Sequence, residues 1–238
     1  MSRATATALA EPPDFELIHE DEEPLESQWH VWQMGLLIHL LHQWMRERGR
    51  GDFFVGGNMF VYYSLRQAQA VAADPAGHKE FKGPDVFYVA DVDPHERPSW
   101  VVWEEGNRYP DVIFELASPT TRTKDLTTKK DLYAQVFRTP EYVFYDRDRD
   151  ELRGFRLAGT AYQELRPNVR GRLWSVELGA ELGVWRGEHD GVEAPWLRLY
   201  RPDGGLVPTA RETAEAAQDE VARLRARLAE LTGSGRVD

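Results

Sequence analysis

Apolar residues recur at helical spacing over one long segment in the first quarter of the chain. Ser27 precedes this segment as a candidate N-cap, and Gly49 follows it as a candidate stop. Spacings of three and four residues place side chains on one helix face. The pattern predicts a long core helix whose buried face contains Trp29, Val31, Trp32, Leu36, Leu37, Leu40, Leu41, Trp44 and Met45.

The middle of the chain alternates short apolar runs with Gly, Pro, Asn and Asp, a pattern typical of strands. The predicted strands are residues 15–18, 53–55, 59–63, 86–90, 100–103 and 112–117, followed by a helix over 124–137 and a strand at 141–145. Later segments predict a hairpin of residues 152–157 and 161–165 with Gly159 in its turn, and edge strands at 174–178 and 196–200. The order of sheet, helix and sheet predicts an α/β core.

The two ends of the chain differ from this core. Residues 1–13 are rich in Ala and Thr and are predicted to be disordered, the main domain is predicted over 14–205, and residues 206–238 are predicted as a C-terminal helix with a tail. Apolar residues of that helix alternate by four and three, as in a coiled coil. We expect it to pair with another copy in a homodimer, and the alternative is docking on the core. The heptad positions are Ala210, Ala214, Ala217, Val221, Leu224, Leu228 and Leu231.

Composition excludes several classes of protein. The chain has no cysteine, which excludes disulfides, thiolate metal sites and cysteine nucleophiles. Neither a leader-like N-terminus nor a run of about 20 apolar residues is present, so we expect a soluble, cytoplasmic protein without membrane contact.

Charge is unevenly distributed along the chain. The net charge of −11 argues against wrapping nucleic acid over the whole surface, since phosphate neutralisation needs a basic footprint. The segment 122–172 is nevertheless locally basic, and three of the five lysines lie close together at Lys124, Lys129 and Lys130. An acidic total can therefore hide a basic face.

A carboxylate interrupts the most apolar predicted strand, residues 112–117. Alternation places Asp111, Ile113, Glu115 and Ala117 on one face, with Glu115 well inside the run. A buried, ionised and unpaired Glu115 would cost several kcal/mol, so it needs a cation, a basic side chain or a raised pKa. The alternative to a functional site is a structural ion pair.

Asp85 supplies a second carboxylate that can reach the same place. It follows Pro84 and opens the predicted strand 86–90. Two hard oxygen ligands suit Mg²⁺, which takes one or two protein carboxylates and keeps several waters. A Pro-Asp pair before a strand also occurs as a simple turn.

Lys129 lies on the core-facing side of the predicted helix 124–137. Leu126, Lys129, Tyr133, Val136 and Phe137 share one face by spacing, whereas Lys130 is rotated by about 100°. The helix can thus bring the Lys129 ammonium to the carboxylates, where it could orient water or stabilise charge on a phosphate. The alternatives are a lysine that extends to solvent or an i, i+4 pair with Asp125.

These residues carry a resemblance to a known family. The segment from Glu115 to Thr121, the segment from Lys124 to Lys129, and Tyr133 resemble the bacterial Uma-two family of restriction-endonuclease-like proteins, in the PD-(D/E)XK nuclease superfamily. Further matches, across similarity that spans residues 14–185, are Phe15-Glu16-Leu17-Ile18, His30, Pro140-Glu141-Tyr142 and Asp146.

The resemblance implies a fold, a site and a cofactor. It implies a restriction-endonuclease-like mixed central sheet flanked by helices, with Asp85 and Glu115 binding Mg²⁺ (or Mn²⁺) and the backbone carbonyl of Leu116 as third ligand. The superfamily lysine lies two residues after the acid, where this chain has Ala117, so the resemblance implies that Lys129 has taken over its role. Asp111, on the face of Glu115, is the rival for the second ligand if Asp85 lies too far away.

Three functions are compatible with these residues. The first is a metal-dependent endonuclease that hydrolyses DNA, with Asp85, Glu115 and Lys129 as catalytic residues. The second is a catalytically inactive nuclease fold that acts as a dimeric interaction module, and the third is a metal-dependent hydrolase of a small phosphorylated substrate. We expect His30 to be a helix histidine with satisfied hydrogen bonds, and no zinc site at His39 and His42, which have no evident third ligand.

Overall fold

The structure, a computed structural model, describes residue 17 and the ranges 27–73 and 83–233. The predicted disordered segment 1–13 and all of the predicted strand 15–18 except Leu17 lie outside the described residues.

Helix α1 (Gln28–Glu47) forms where apolar periodicity predicts it. The Ser27 hydroxyl caps it by accepting a hydrogen bond from the His30 backbone N–H at 3.2 Å. After the helix ends, Gly49 adopts a left-handed backbone with φ of 70°, which costs glycine little. Its buried face packs on the main sheet through Leu37, Leu40, Leu41 and Met45.

Six strands form a mixed sheet in the order β1, β3, β5, β6, β7, β8. Only the central pair, β5 and β6, is parallel, and every other neighbouring pair is antiparallel. Their bounds are β1 (Phe53–Gly57), β3 (Val86–Ala90), β5 (Val112–Leu116), β6 (Glu141–Asp146), β7 (Glu151–Ala158) and β8 (Ala161–Glu164). The predicted α/β class with a mixed central sheet and flanking helices is confirmed.

Three further strands form a second, antiparallel sheet. They are β9 (Leu173–Ser175), β10 (Ala180–His189) and β11 (Val192–Tyr200), with β10 in the middle. The segments predicted as edge strands therefore belong to this separate sheet, since their apolar residues, including Trp196 and Leu197, pack with α1 in one core. Strand β10 was not predicted, because Gly183, Gly187 and alternating charges weaken its strand pattern.

The opposite face of the main sheet is covered by other elements. A small parallel pair, β2 (Val61–Tyr62) and β4 (Trp100–Val101), packs there, and so does helix α3 (residues 122–137). Helix α2 (Leu65–Ala73), absent from the predictions, lies beside β2. Both faces of β5 are therefore buried, as its continuous apolar run predicted.

Helix α3 is continuous but irregular. Two stretches, Asp125–Lys129 and Tyr133–Phe137, are π-helical, and the turns before each are α-helical. The wider π turns rotate side chains away from the positions that a regular α-helix would give. Val136, predicted on the buried stripe, is consequently 44% exposed, whereas Tyr133 and Phe137 are buried.

The C-terminal helix α4 (Ala210–Gly233) is present where predicted, and its first turn is fixed to the domain. Thr209 and Glu212 form a reciprocal capping box, with the Thr209 N–H donating to Glu212 at 2.6 Å and the Glu212 N–H donating to Thr209 at 3.1 Å. The fully buried Arg198 guanidinium binds the Glu212 carboxylate at 2.7 Å. Among the described helices, none is long and apolar enough to cross a membrane.

Gly83 fixes how the chain enters β3. A Cβ at this position would lie 1.6 Å from the carbonyl oxygen of Met59. We expect Gly83→Ala to lower the free energy of unfolding by about 1–3 kcal/mol, measured by urea denaturation, because backbone must move. Gly35→Ala is the control: that position in α1 is exposed with nothing near it, so we expect a gain of about 0.5–1 kcal/mol. Equal effects of both changes would contradict this account.

Candidate active site

Strand pairing brings Asp85 and Glu115 to one end of the main sheet. In the antiparallel register of β3 and β5, Val86 faces Phe114, so the next step of the ladder sets Asp85 opposite Glu115. The Asp85 carboxylate accepts a hydrogen bond from the Leu116 backbone N–H at 2.6 Å. The two carboxylates therefore meet on the face of the sheet that α3 covers.

The Glu115 carboxylate is almost completely buried, and both of its oxygens have a donor. The Lys129 ammonium lies 2.9 Å from Oε2, and the Tyr133 hydroxyl donates to Oε1 at 2.7 Å. The residue as a whole is 1% exposed. A buried acid in this position is stabilised only by such donors, because no water can take their place.

Burial raises the pKa of Glu115 to about 8. The Lys129 charge and the Tyr133 hydrogen bond oppose that rise, while Asp85 and Asp125 reinforce it. Burial likewise acts to raise the pKa of Asp85, but contact with His30 and attraction to Lys129 outweigh it, so that pKa lies below its ordinary value. The two acids are thus unequal in the structure: Asp85 holds its charge more firmly than Glu115.

Lys129 is the lysine that contacts the acids. Its ammonium binds Glu115 and, also at 2.9 Å, the buried carboxylate of Asp125. Lys130 instead lies over the Phe155 ring, 4.0 Å from the centroid. Lys129 therefore faces the acids, as its spacing predicted, and it also forms the pair with Asp125 that was the alternative.

The π-helical turns of α3 explain how three site residues stay in line. Asp125, Lys129 and Tyr133 are each four residues apart. In an α-helix, four residues overshoot one turn by about 40°, so three such residues drift around the axis. Wider π turns counteract this drift, and single π turns occur frequently at functional sites. Sequence spacing alone gave no signal for them.

His30 joins the site from α1. Its Nε2 lies 3.1 Å from Asp85 Oδ1, and its side chain is 9% exposed. The prediction of a helix histidine with satisfied hydrogen bonds did not include this contact with Asp85. The recurrence of a histidine in the family resemblance was the one signal for it.

Asp111 is excluded as the second ligand by its position. Its carboxylate accepts a hydrogen bond from the Ala90 backbone N–H at 2.7 Å, at the far end of β3 from Asp85. Four residues of strand separate it from Glu115, a span of about 13 Å. Asp111 was a rival only if Asp85 proved distant, and Asp85 instead lies opposite Glu115. Alternation gives the face of a strand and says nothing about distance along it.

The donor set fits a hard divalent cation in part. Asp85 and Glu115 offer carboxylate oxygens that each already have a protein donor but retain further lone pairs. Within the described ranges, no group of three or more His, Asp or Glu side chains is arranged to hold a metal ion. Such a pair suits Mg²⁺, which needs few protein ligands, better than Zn²⁺, which needs three or four.

The basic segment 122–172 is largely neutralised by its own neighbours. Arg122 contacts Asp146 and Glu151 at 2.5 Å each. The same holds for pairs further along: Arg153 with Glu164, Arg156 with Glu141, and Arg172 with Glu181. The segment therefore offers fewer free cations than its composition suggests.

The described residues thus form a mixed α/β sheet flanked by helices, with Asp85 just before β3, Glu115 in β5 and Lys129 in α3 brought together at one end of the sheet. A family model described as "Uma2: Putative restriction endonuclease" matches residues 6–188. The chain belongs to this Uma2 family, as the Uma-two resemblance predicted.

Comparison with solved structures gives a more distant similarity. The crystal structure of a "putative nuclease belonging to DUF820" from Anabaena variabilis ATCC 29413 is 11% identical, with a TM-score of 0.43, and the match covers 65% of this chain and 76% of that one. No curated protein matches the chain.

Tyr133→Phe tests the hydrogen bond that the Tyr133 hydroxyl donates to the Glu115 carboxylate. Removing the hydroxyl takes away one donor of a buried carboxylate, so we expect the free energy of unfolding to fall by about 1–3 kcal/mol at pH 9, where Glu115 is ionised. At pH 6.5 the protonated acid needs this donor less, and the loss should be smaller. Chemical denaturation at both pH values measures the difference.

Tyr162→Phe is the matched control for that measurement. The Tyr162 hydroxyl donates to the Thr139 carbonyl at 2.9 Å, away from the acids. Its loss should be similar at both pH values. An equally pH-independent effect of Tyr133→Phe would contradict the assignment of Glu115 as the titrating group.

Proposed function

We propose that this protein is a metal-dependent endonuclease that hydrolyses DNA phosphodiester bonds. The observation that carries the proposal is the cluster of Asp85, Glu115 and Lys129, in which a lysine is held 2.9 Å from an acid buried in an apolar sheet. Membership of the Uma2 family supports the reaction class.

Asp85 and Glu115 would hold Mg²⁺ or Mn²⁺, with the backbone carbonyl of Leu116 as an additional ligand. When bound, the ion polarises the scissile phosphate and lowers the pKa of an attacking water. The Leu116 N–H and His30 hold Asp85 from two sides, which fixes the direction of its remaining lone pairs. His30 and Tyr133 are thus positioning residues.

Lys129 would act on the phosphate and on the attacking water. Burial lowers the pKa of this lysine, but Glu115, Asp125 and Asp85 raise it by more, so it stays protonated at any working pH. A permanently charged ammonium can stabilise the negative charge that develops on the phosphate, but it cannot serve as a general base. It can orient the water by hydrogen bonding.

A second candidate is hydrolysis of a small phosphate ester at the same site. The pairing of Arg122, Arg153, Arg156 and Arg172 with carboxylates favours it, because few of these cations remain for a long phosphate backbone. DNA is the first candidate substrate because the family is described as a restriction endonuclease. Both candidate reactions would use the same acids and the same lysine.

The cleavage assay uses the full chain with plasmid, single-stranded and branched DNA in the presence of Mg²⁺ or Mn²⁺. We expect cleavage by the wild type and a loss of at least about 100-fold with Lys129→Met, since a charge that stabilises the transition state is removed. Lys130→Met is the matched control and should stay close to wild type, because the Lys130 ammonium lies over the Phe155 ring and interacts with the charge of Glu164, a residue that is not among the proposed catalytic residues.

Asp85→Asn and Glu115→Gln should also abolish cleavage. If Glu115→Gln cut as fast as wild type, the activity would not belong to this site. A folded wild type that cuts none of the DNA forms but hydrolyses a small phosphate ester would favour the second candidate. Inactivity on both substrate classes would favour an interaction module that keeps the fold.

Metal binding should depend on pH through Glu115. The acid has its pKa raised to about 8, so a bound cation must displace a proton below that pH. We expect Mn²⁺ affinity, measured by calorimetry, to rise by up to about tenfold per pH unit until pH 8 and then to level off. Without metal, the stability of the fold should change with pH in the opposite direction. A buried acid with a raised pKa lowers the free energy of unfolding as pH rises from the ordinary pKa of a glutamate toward 8.

Glu177→Gln is the control for this titration. Burial raises the pKa of Glu177 too, but it interacts with Glu141 and Asp111, away from the site. Its removal should leave the pH profile of affinity unchanged, whereas Glu115→Gln should remove both the affinity and the profile. An affinity that is flat from pH 6.5 to 9 in the wild type would count against Glu115 as a ligand.

A further inference from the structure

Helix α4 leaves the domain after its first turn. Every residue from 213 to 231 is exposed, although the helix has 24 residues. Isolated helices shorter than about 12–15 residues are marginally stable in water, and most helices in proteins are stabilised by packing of an apolar face. The exposed part of α4 is longer than this limit, so its need for a partner surface depends on whether it carries an apolar face.

The exposed residues of α4 include an apolar stripe. Its large members lie in the distal half and are 46–68% exposed; they are Val221, Leu224, Leu228 and Leu231. Together with Ala210, Ala214 and Ala217, they alternate by four and three residues. This is the a and d pattern of a two-stranded coiled coil, with Val221 and Leu228 at a and Leu224 and Leu231 at d.

We propose that α4 pairs with α4 of a second copy in a parallel, in-register coiled coil. In this arrangement, Glu220 at position g faces Arg225 of the other copy at position e, and the symmetric contact repeats it. The largest apolar side chains then stack on their own counterparts, so the greatest apolar area is buried along the seam.

An antiparallel pair fits the same helix less well. If the leucine-rich halves overlapped, Arg225 would face Arg225 and Arg227 would face Arg227, a repulsive arrangement. If the helices overlapped completely, leucines would face Ala214 and Ala217 and would bury less apolar area. The parallel pair avoids both problems, and it places the two folded domains at the same end of the coil, since each α4 is fixed through Glu212 to Arg198.

The first test is the mass of the full chain by light scattering across a concentration series. The wild type should have twice the 27.3 kDa of one chain. Changing Leu224 and Leu228 to Glu together should give a folded monomer, because the seam is lost while the domain core is untouched. Changing Ala222 and Ala226 to Glu, on the outer face of the helix, should leave the dimer intact. A monomeric wild type would overturn the proposal.

The second test determines orientation with a cysteine, which is unique because the chain has none. Ala217→Cys, at a d position, should form an interchain disulfide on oxidation, since d residues of a parallel pair face each other within disulfide reach. Ala226→Cys, on the outer face, should not. In either antiparallel arrangement Cys at this position lies far from its counterpart, so a dimer that fails to cross-link overturns the parallel orientation.

The third test is charge reversal. Glu220→Arg or Arg225→Glu alone should weaken the dimer measurably, because like charges then face each other, and the double reversal should restore it. Glu220 also contacts Arg223 within its own helix at 3.0 Å, so helix content is recorded alongside. A double variant as weak as the sum of the single ones would contradict the Glu220–Arg225 contact. None of these tests depends on catalysis.

Discussion

The carboxylate of Glu115, buried in the middle of the apolar sheet, sets the constraint on which the site depends. Removing an ion from water costs several kcal/mol, and the charged form persists only where donors replace the water. Lys129 and Tyr133 supply one donor to each oxygen. Both donors come from the π-helical stretches of α3. The helix must therefore pack closely over Glu115 for the buried acid to keep its hydrogen bonds.

The two acids of the site differ in charge state, although every carboxylate oxygen of both already has a donor within the protein. Burial and the neighbouring charges of Asp85 and Asp125 raise the pKa of Glu115. In the proposed nuclease, a cation would therefore compete with a proton for this acid and, once bound, would relieve the repulsion from Asp85 and Asp125. Asp85, by contrast, is held in its charged form beside His30. In the proposed nuclease, one acid would keep its charge and the other would exchange a proton for Mg²⁺, which needs few protein ligands.

Charged residues outside the site are arranged differently in the segment 122–172 and in helix α4. Several arginines in the segment 122–172 pair with nearby carboxylates such as Asp146, Glu151 and Glu164. Charges on α4 lie instead on an exposed helix, beside an apolar stripe, and in the proposed coiled coil they would specify the partner. The basic composition of one segment and the acidic total of the chain are therefore both poor guides to where this protein makes contacts.

Sequence alone determined the elements with strong periodicity: α1, the strands around Asp85 and Glu115, the helix that carries Lys129, and α4. Local pattern suffices there because an amphipathic face repeats at a fixed spacing. Motif spacing also indicated the family and the lysine that faces the acids. Tertiary structure decided the rest. Three features depend on how the ends of distant elements meet: the position of Asp111, the contact of His30 with Asp85, and the separate sheet of β9 to β11. Pairing and packing between segments far apart in the sequence determine those meetings. The π turns of α3, which carry Asp125, Lys129 and Tyr133, likewise had no signal in the local sequence pattern.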